Sequence, residues 1–210
     1  MPLLISAGPG PLPTVLGAWD CSFYSEATVC ISVTTSNGDF AARNCRIQQE
    51  GANGYFDVSS ATDVRFVDCL FDSLSQVSLS SSISDGNVSF EYCNSDAGID
   101  CSATGTFRAS YSTILSSTSN VINNTSSSTM ELDYCHISSN FAGASAIDIA
   151  LGSSIIMTSC AVVGPVSPEI NGFGSLFYDH LFGVNTLAAT LTVTTFSTLP
   201  IAGTALASRG

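Results

Sequence analysis

Apolar residues recur along this chain in a spaced pattern that is neither helical nor simply alternating. An apolar residue at position i is followed by another at i+2, a cysteine at i+5 and a further apolar residue at i+7. The copies are Leu16, Ala18, Cys21, Phe23; Phe40, Ala42, Cys45, Ile47; and Val64, Phe66, Cys69, Phe71. They continue as Val88, Phe90, Cys93, Ser95; Phe107, Ala109, Ser112, Ile114; Met130, Leu132, Cys135, Ile137; and Ile155, Met157, Cys160, Val162. Both departures are to serine, at 95 and 112. Residues i and i+2 share one face of a strand, whereas the step from i+2 to i+5 is odd. Keeping all four residues inward therefore requires a bend between i+2 and i+5.

Each copy predicts about three short strands. A further strand reads from Val29 to Val33, Tyr55 to Val58, Val77 to Leu79, Val121 to Ile122 and Ala146 to Ile149. Turn-forming residues separate them, as in Thr35-Ser36-Asn37-Gly38, Ala52-Asn53-Gly54 and Ser84-Asp85-Gly86-Asn87. Ser80-Ser81-Ser82 is expected in a polar loop. A repeat this short, made of strands, predicts an all-β parallel β-helix with one rung per copy. Helical repeats have longer periods, and the leucine-rich pattern is absent.

The stretches Val64-Arg65-Phe66-Val67-Asp68-Cys69-Leu70-Phe71 and Met130-Glu131-Leu132-Asp133-Tyr134-Cys135-His136-Ile137 resemble the right-handed β-helix repeat of pectin-lyase-like and viral spike proteins. That resemblance implies a right-handed coil of about seven rungs over residues 14–163. Residues 1–13 are expected to form an extended N-terminal arm, and 164–210 a cap or subunit-docking tail in which Leu176, Phe177, Tyr178, Leu181 and Phe182 meet a partner. Trp19 is expected to close the first rung.

Charge narrows the partners. The chain has five Arg, no Lys, 17 Asp plus Glu and a net charge of -12, with 10% charged residues. So few cations disfavour a nucleic-acid partner and an anionic membrane surface. The uncharged stretch 181–208 carries alternating Leu, Val and Thr, which favours strand over a spanning helix. The start lacks both a basic region and a long apolar run, so no secretory signal is read there.

Eight cysteines raise the question of bridges or metal. The column Cys21, Cys45, Cys69, Cys93, Ser112, Cys135, Cys160 reads first as packed core thiols, since no CxxC pair exists and a serine takes one place, with bridges between neighbouring copies the alternative that the strand spacing permits. A serine hydroxyl placed at 69 is expected to lose about 1–3 kcal/mol if unpaired. Resemblance to pectate lyases implies clustered calcium-binding Asp with a basic catalytic residue, and resemblance to polygalacturonases implies Asn-Thr-Asp, Asp-Asp, Gly-His-Gly and Arg-Ile-Lys; none of these strings occurs here. Arg65, Arg108 and Glu131 are expected to be cross-rung charge partners. Asn87, Asn123 and Asn124 fit the glycosylation sequon by accident.

These readings lead to no catalytic, metal or cofactor site. The expected role is a non-enzymatic building block of a larger assembly, a viral minor capsid, fibre or spike component that meets other protein subunits or copies of itself in the virion. A carbohydrate-binding or carbohydrate-active protein is one alternative. An extracellular or cell-surface adhesin fragment is another.

Overall fold

Among the described residues every regular element is a β-strand, and every strand pairing is parallel. The computed structural model describes residues 3–5, 14–26, 30–33, 38–50, 55–73, 80–96, 98–101, 105–116, 120–125 and 128–196. The strands wind as a parallel β-helix with three faces, here called A, B and C in the order the chain visits them.

Face A stacks Thr14–Trp19, Gly38–Arg43, the ends of Phe56–Val67 and Ser80–Glu91, then Thr106–Ser110, Thr129–Asp133 and the start of Ser154–Val163. Face B stacks Ser22–Ser25, Arg46–Gln49, Leu70–Ser73, Asn94–Ser95, Thr113–Ser116, His136–Ser139 and the end of Ser154–Val163. Face C carries Ile31–Val33, the starts of Phe56–Val67 and Ser80–Glu91, then Gly98–Cys101, Ile122–Asn124, Ile147–Ile149 and Ile170–Gly172.

Register follows the repeat. Leu16 pairs with Phe40, Phe40 with Val64, Val64 with Val88, Val88 with Phe107, Phe107 with Met130 and Met130 with Ile155. From Phe40 onward these apolar side chains are buried and pile up along the axis, excluding water. Phe40, Phe56, Phe66, Phe71, Phe90 and Phe107 form a buried aromatic file in the first half.

The bend demanded between i+2 and i+5 is made by one residue per turn. Asp20, Asn44, Asp68, Tyr92, Tyr111, Tyr134, Ser159 and His180 all have φ between 50° and 55°. A single left-handed residue turns the strand and restores inward phase. Asp and Asn take that conformation more readily than most side chains, whereas tyrosine does so against its preference.

The rung count and the boundary at 163 need correction. The coil does not stop there: Ser175–Phe182 stacks on Ser154–Val163, and Thr192–Thr195 stacks on Ser175–Phe182. Ile155 pairs with Leu176, Met157 with Tyr178 and Cys160 with Leu181, so the repeat continues with leucine in the cysteine place. Gly172, at φ +120°, permits this next turn to approach, because a Cβ there would lie 2.0 Å from the Ile149 carbonyl oxygen. At the other end, Leu3–Ile5 is not a free arm but a strand on Ile31–Val33.

Other expectations change as well. Ser80–Ser82 lies in a strand, paired with Gly98–Asp100, and the strand expected at 77–79 lies outside the described residues. The same holds for the turn residues 35–37 and 52–54, for 6–13 of the arm and for 197–210 of the tail. Trp19 does not enter the core; it is 62% exposed and its ring covers Gly17. Among the described residues, no helix is long and apolar enough to cross a membrane.

Candidate binding face

The cysteine column runs along the corner between faces A and B. Cys45, Cys69, Cys93, Ser112, Cys135 and Cys160 are buried, and all eight cysteines of the chain are free thiols. Cys21 departs from the expected column by being exposed, because its turn lies near the start of the stack. Each buried column sulfur lies 3.2–3.5 Å from two carbonyl oxygens, one two residues before it and one in an earlier turn. The carbonyls at 43, 67 and 91 also accept an N–H from the left-handed residue of the preceding turn. The thiol therefore serves the second lone pair of a carbonyl at a tight corner. Contact with Cys69 and burial push the Cys93 thiol up, and contact with Cys135 and burial do the same for Cys160, while the same contacts lower Cys69 and Cys135. Cys93 and Cys160, held protonated in this way, are poor nucleophiles.

Ser112 explains why serine is tolerated in the column. Its hydroxyl donates to the Ser110 carbonyl at 2.8 Å and accepts the Cys93 N–H at 3.0 Å. At position 69 the Val67 carbonyl lies 3.3 Å from the sulfur, and the register that sets Arg46 on Leu70 gives the Cys45 N–H the place that the Cys93 N–H has at Ser112. Cys69→Ser is thus expected to cost less than about 1 kcal/mol, below the sequence-based figure, because the new hydroxyl is paired. Urea unfolding followed by circular dichroism checks this, and a loss above about 2 kcal/mol would mean the hydroxyl stays unpaired.

Outside that column the left-handed corner residues form their own row. Asn44 donates to Asp20 at 2.6 Å. Tyr92, Tyr111 and Tyr134 are all exposed, and their rings stack face to face with centroids 5.1 Å apart at both steps. The sequence reading missed this row. The signal was present, since tyrosine precedes the column residue in three successive copies.

Beside the row, face A opens as a groove of about 540 Å³ lined by Arg65, Glu91, Arg108, Glu131, Asp133 and Thr158, among others. Arg65 pairs with Glu91 at 2.5 Å and Arg108 with Glu131 at 2.8 Å. These exposed cross-turn pairs are worth little individually, but they take up both arginines of the groove. Asp133 is half-buried, and burial raises its carboxyl above the usual range. Among the described residues, no group of three or more His, Cys, Asp or Glu is placed to hold a metal ion. His136 points outward on face B. Asn124, one of the sequon asparagines, is fully buried, and its amide nitrogen bonds the carbonyls of Ser128 and Ser154 at 3.3 and 3.0 Å. That closes it to a glycan.

The proposed docking residues divide. Leu176 is fully buried inside the coil, so it is not a docking side chain. Tyr178 and Leu181 pack partly against the same core. Phe177 is half-buried on the outer side of its strand, and Phe182 is 57% exposed. The next loop is pinned by Glu169, a buried carboxylate that accepts the Thr186 N–H at 2.9 Å and the Asn185 amide at 3.0 Å. Burial would raise the Glu169 carboxyl, but these hydrogen bonds outweigh it and hold the group below the ordinary carboxylate value.

Comparison with protein-family profiles, with curated proteins and with solved structures finds no match for this chain. The fold itself supplies the classification: a parallel β-helix repeat protein.

Proposed function

We propose that this chain is a non-enzymatic structural protein, a β-helical building block of a larger protein assembly, with a virus particle as its setting. The observation that carries this reading is the last described strand. All four residues of Thr192–Thr195 are exposed. Val193 is 41% exposed, although its partner Leu176 in the turn beneath is fully buried. Among the described residues, no strand pairs with the far edge of Thr192–Thr195. An open edge beside an uncovered apolar position is a template for another strand.

The occupant is the same end of a second copy. A net charge of -12 makes copies repel each other, but the described residues after His180, 181–196, carry no charge at all. Two such ends meet without that repulsion, in a self-complementary contact. Sedimentation of the full chain is expected to show a species of twice 21.7 kDa, and Val193→Lys is expected to return it to monomer. A wild-type monomer at all concentrations, or an unaltered dimer in the variant, overturns the reading.

A carbohydrate-binding role is the second reading, favoured by the open groove and the exposed tyrosines beside it. It expects saturable binding of a neutral oligosaccharide in calorimetry, weakened by Tyr134→Ala.

A further inference from the structure

The row of left-handed corner residues has one ring missing. Tyr92, Tyr111, Tyr134, Ser159 and His180 occupy the same repeat position in successive turns. The three tyrosines stack with 5.1 Å between centroids and interplanar angles of 13° and 1°. In the next turn the position holds only the short side chain of Ser159. One turn further on, the His180 side chain is half exposed.

Successive turns lie one strand spacing apart, so positions 134 and 180 are separated by about 10 Å along the axis. A flat ring lying over Ser159 would have about 5 Å on each side, close to the observed tyrosine step. Tyr134 uses one face against Tyr111, and the register places Ser159 in the next turn on the other side.

A second observation concerns charge. One carboxylate precedes the ring residue on each wall of the gap, Asp133 before Tyr134 and Asp179 before His180. Asp179 lies 2.8 Å from His180 Nδ1. Asp133 is half-buried, and among the described residues it forms no ion pair. The nearby cations are already committed, Arg108 to Glu131 and Arg65 to Glu91. A half-buried carboxylate without a counter-ion, beside a gap one ring thick, selects a positive ligand.

We propose that the gap over Ser159 is a binding site for a flat aromatic cation, stacked between Tyr134 and His180 with Asp133 as its counter-ion. The two walls recognise the plane of the ligand, and the carboxylate recognises its charge. Both contacts lie at the surface, so the ligand enters without opening the coil.

The test uses the full chain and proflavine, a planar three-ring cation, followed by fluorescence anisotropy. Saturable one-to-one binding is expected. Ser159→Tyr fills the gap with a residue that already adopts this conformation at 92, 111 and 134. It is expected to weaken binding about tenfold or more, the equivalent of two lost ring contacts, without lowering the melting temperature. Tyr134→Ala and Asp133→Asn are each expected to weaken binding severalfold. Trp19→Ala, which removes an exposed ring near the other end of the stack, is expected to leave it unaltered. Absence of saturable binding overturns the proposal. So does wild-type affinity in Ser159→Tyr or Asp133→Asn, or a loss in Trp19→Ala as large as in Ser159→Tyr.

Discussion

Phe66→Ala is expected to destabilise the coil by about 3–5 kcal/mol, the range for truncating a fully buried phenylalanine. Phe66 is wholly buried and touches rings on both neighbouring turns as well as across the coil. Its centroid lies 5.0 Å from Phe71, 5.5 Å from Phe56 and Phe90, and 6.1 Å from Phe40. Removing it leaves a cavity lined by four rings that are fixed by strand pairing and cannot collapse inward. In a solenoid each turn is held mainly by its neighbours, so the loss falls on the turns from about 40 to 90. A urea midpoint that drops by the equivalent of less than 1 kcal/mol would contradict the packing described around this residue.

Leu176→Ala separates two accounts of the C-terminal region. As a docking side chain, Leu176 could be truncated with no effect on the isolated monomer. As an inward residue of a continuing coil, stacked on Ile155 and fully buried, its truncation is expected to cost the monomer about 2–5 kcal/mol. Thermal unfolding of a dilute sample, where association is negligible, reads the difference. An unchanged melting temperature would restore the docking role; a clear decrease places residues 175–182 in the coil.

Much of this fold was legible because a solenoid writes the same constraint many times. The spacing Val64, Phe66, Cys69, Phe71 means little alone, but seven copies in one register state that these side chains share an interior. The continuation at Leu176, Tyr178 and Leu181 keeps that spacing. It escaped notice because leucine stands in the cysteine place and prolines 165 and 168 precede it. The candidate binding face was less legible. Arg65 and Arg108 read correctly as cross-turn charge partners, since outward positions in neighbouring strands must meet. The tyrosine row did not, because an exposed aromatic residue says nothing about stacking until the turns are aligned.

The sequence by itself determined the period, the inward columns and the bend between i+2 and i+5, because hydrophobic burial and strand alternation act on residues close in the chain. Only the tertiary structure decided how the bend is made, how Ser112 is satisfied and where the coil continues. A left-handed residue at each corner, a hydroxyl shared between the Ser110 carbonyl and the Cys93 N–H, and an empty place in a row of rings all depend on partners a full turn or more away. The distance from one turn to the next is set by strand pairing, which acts between residues roughly 20 apart and has no counterpart in any local stretch of the chain.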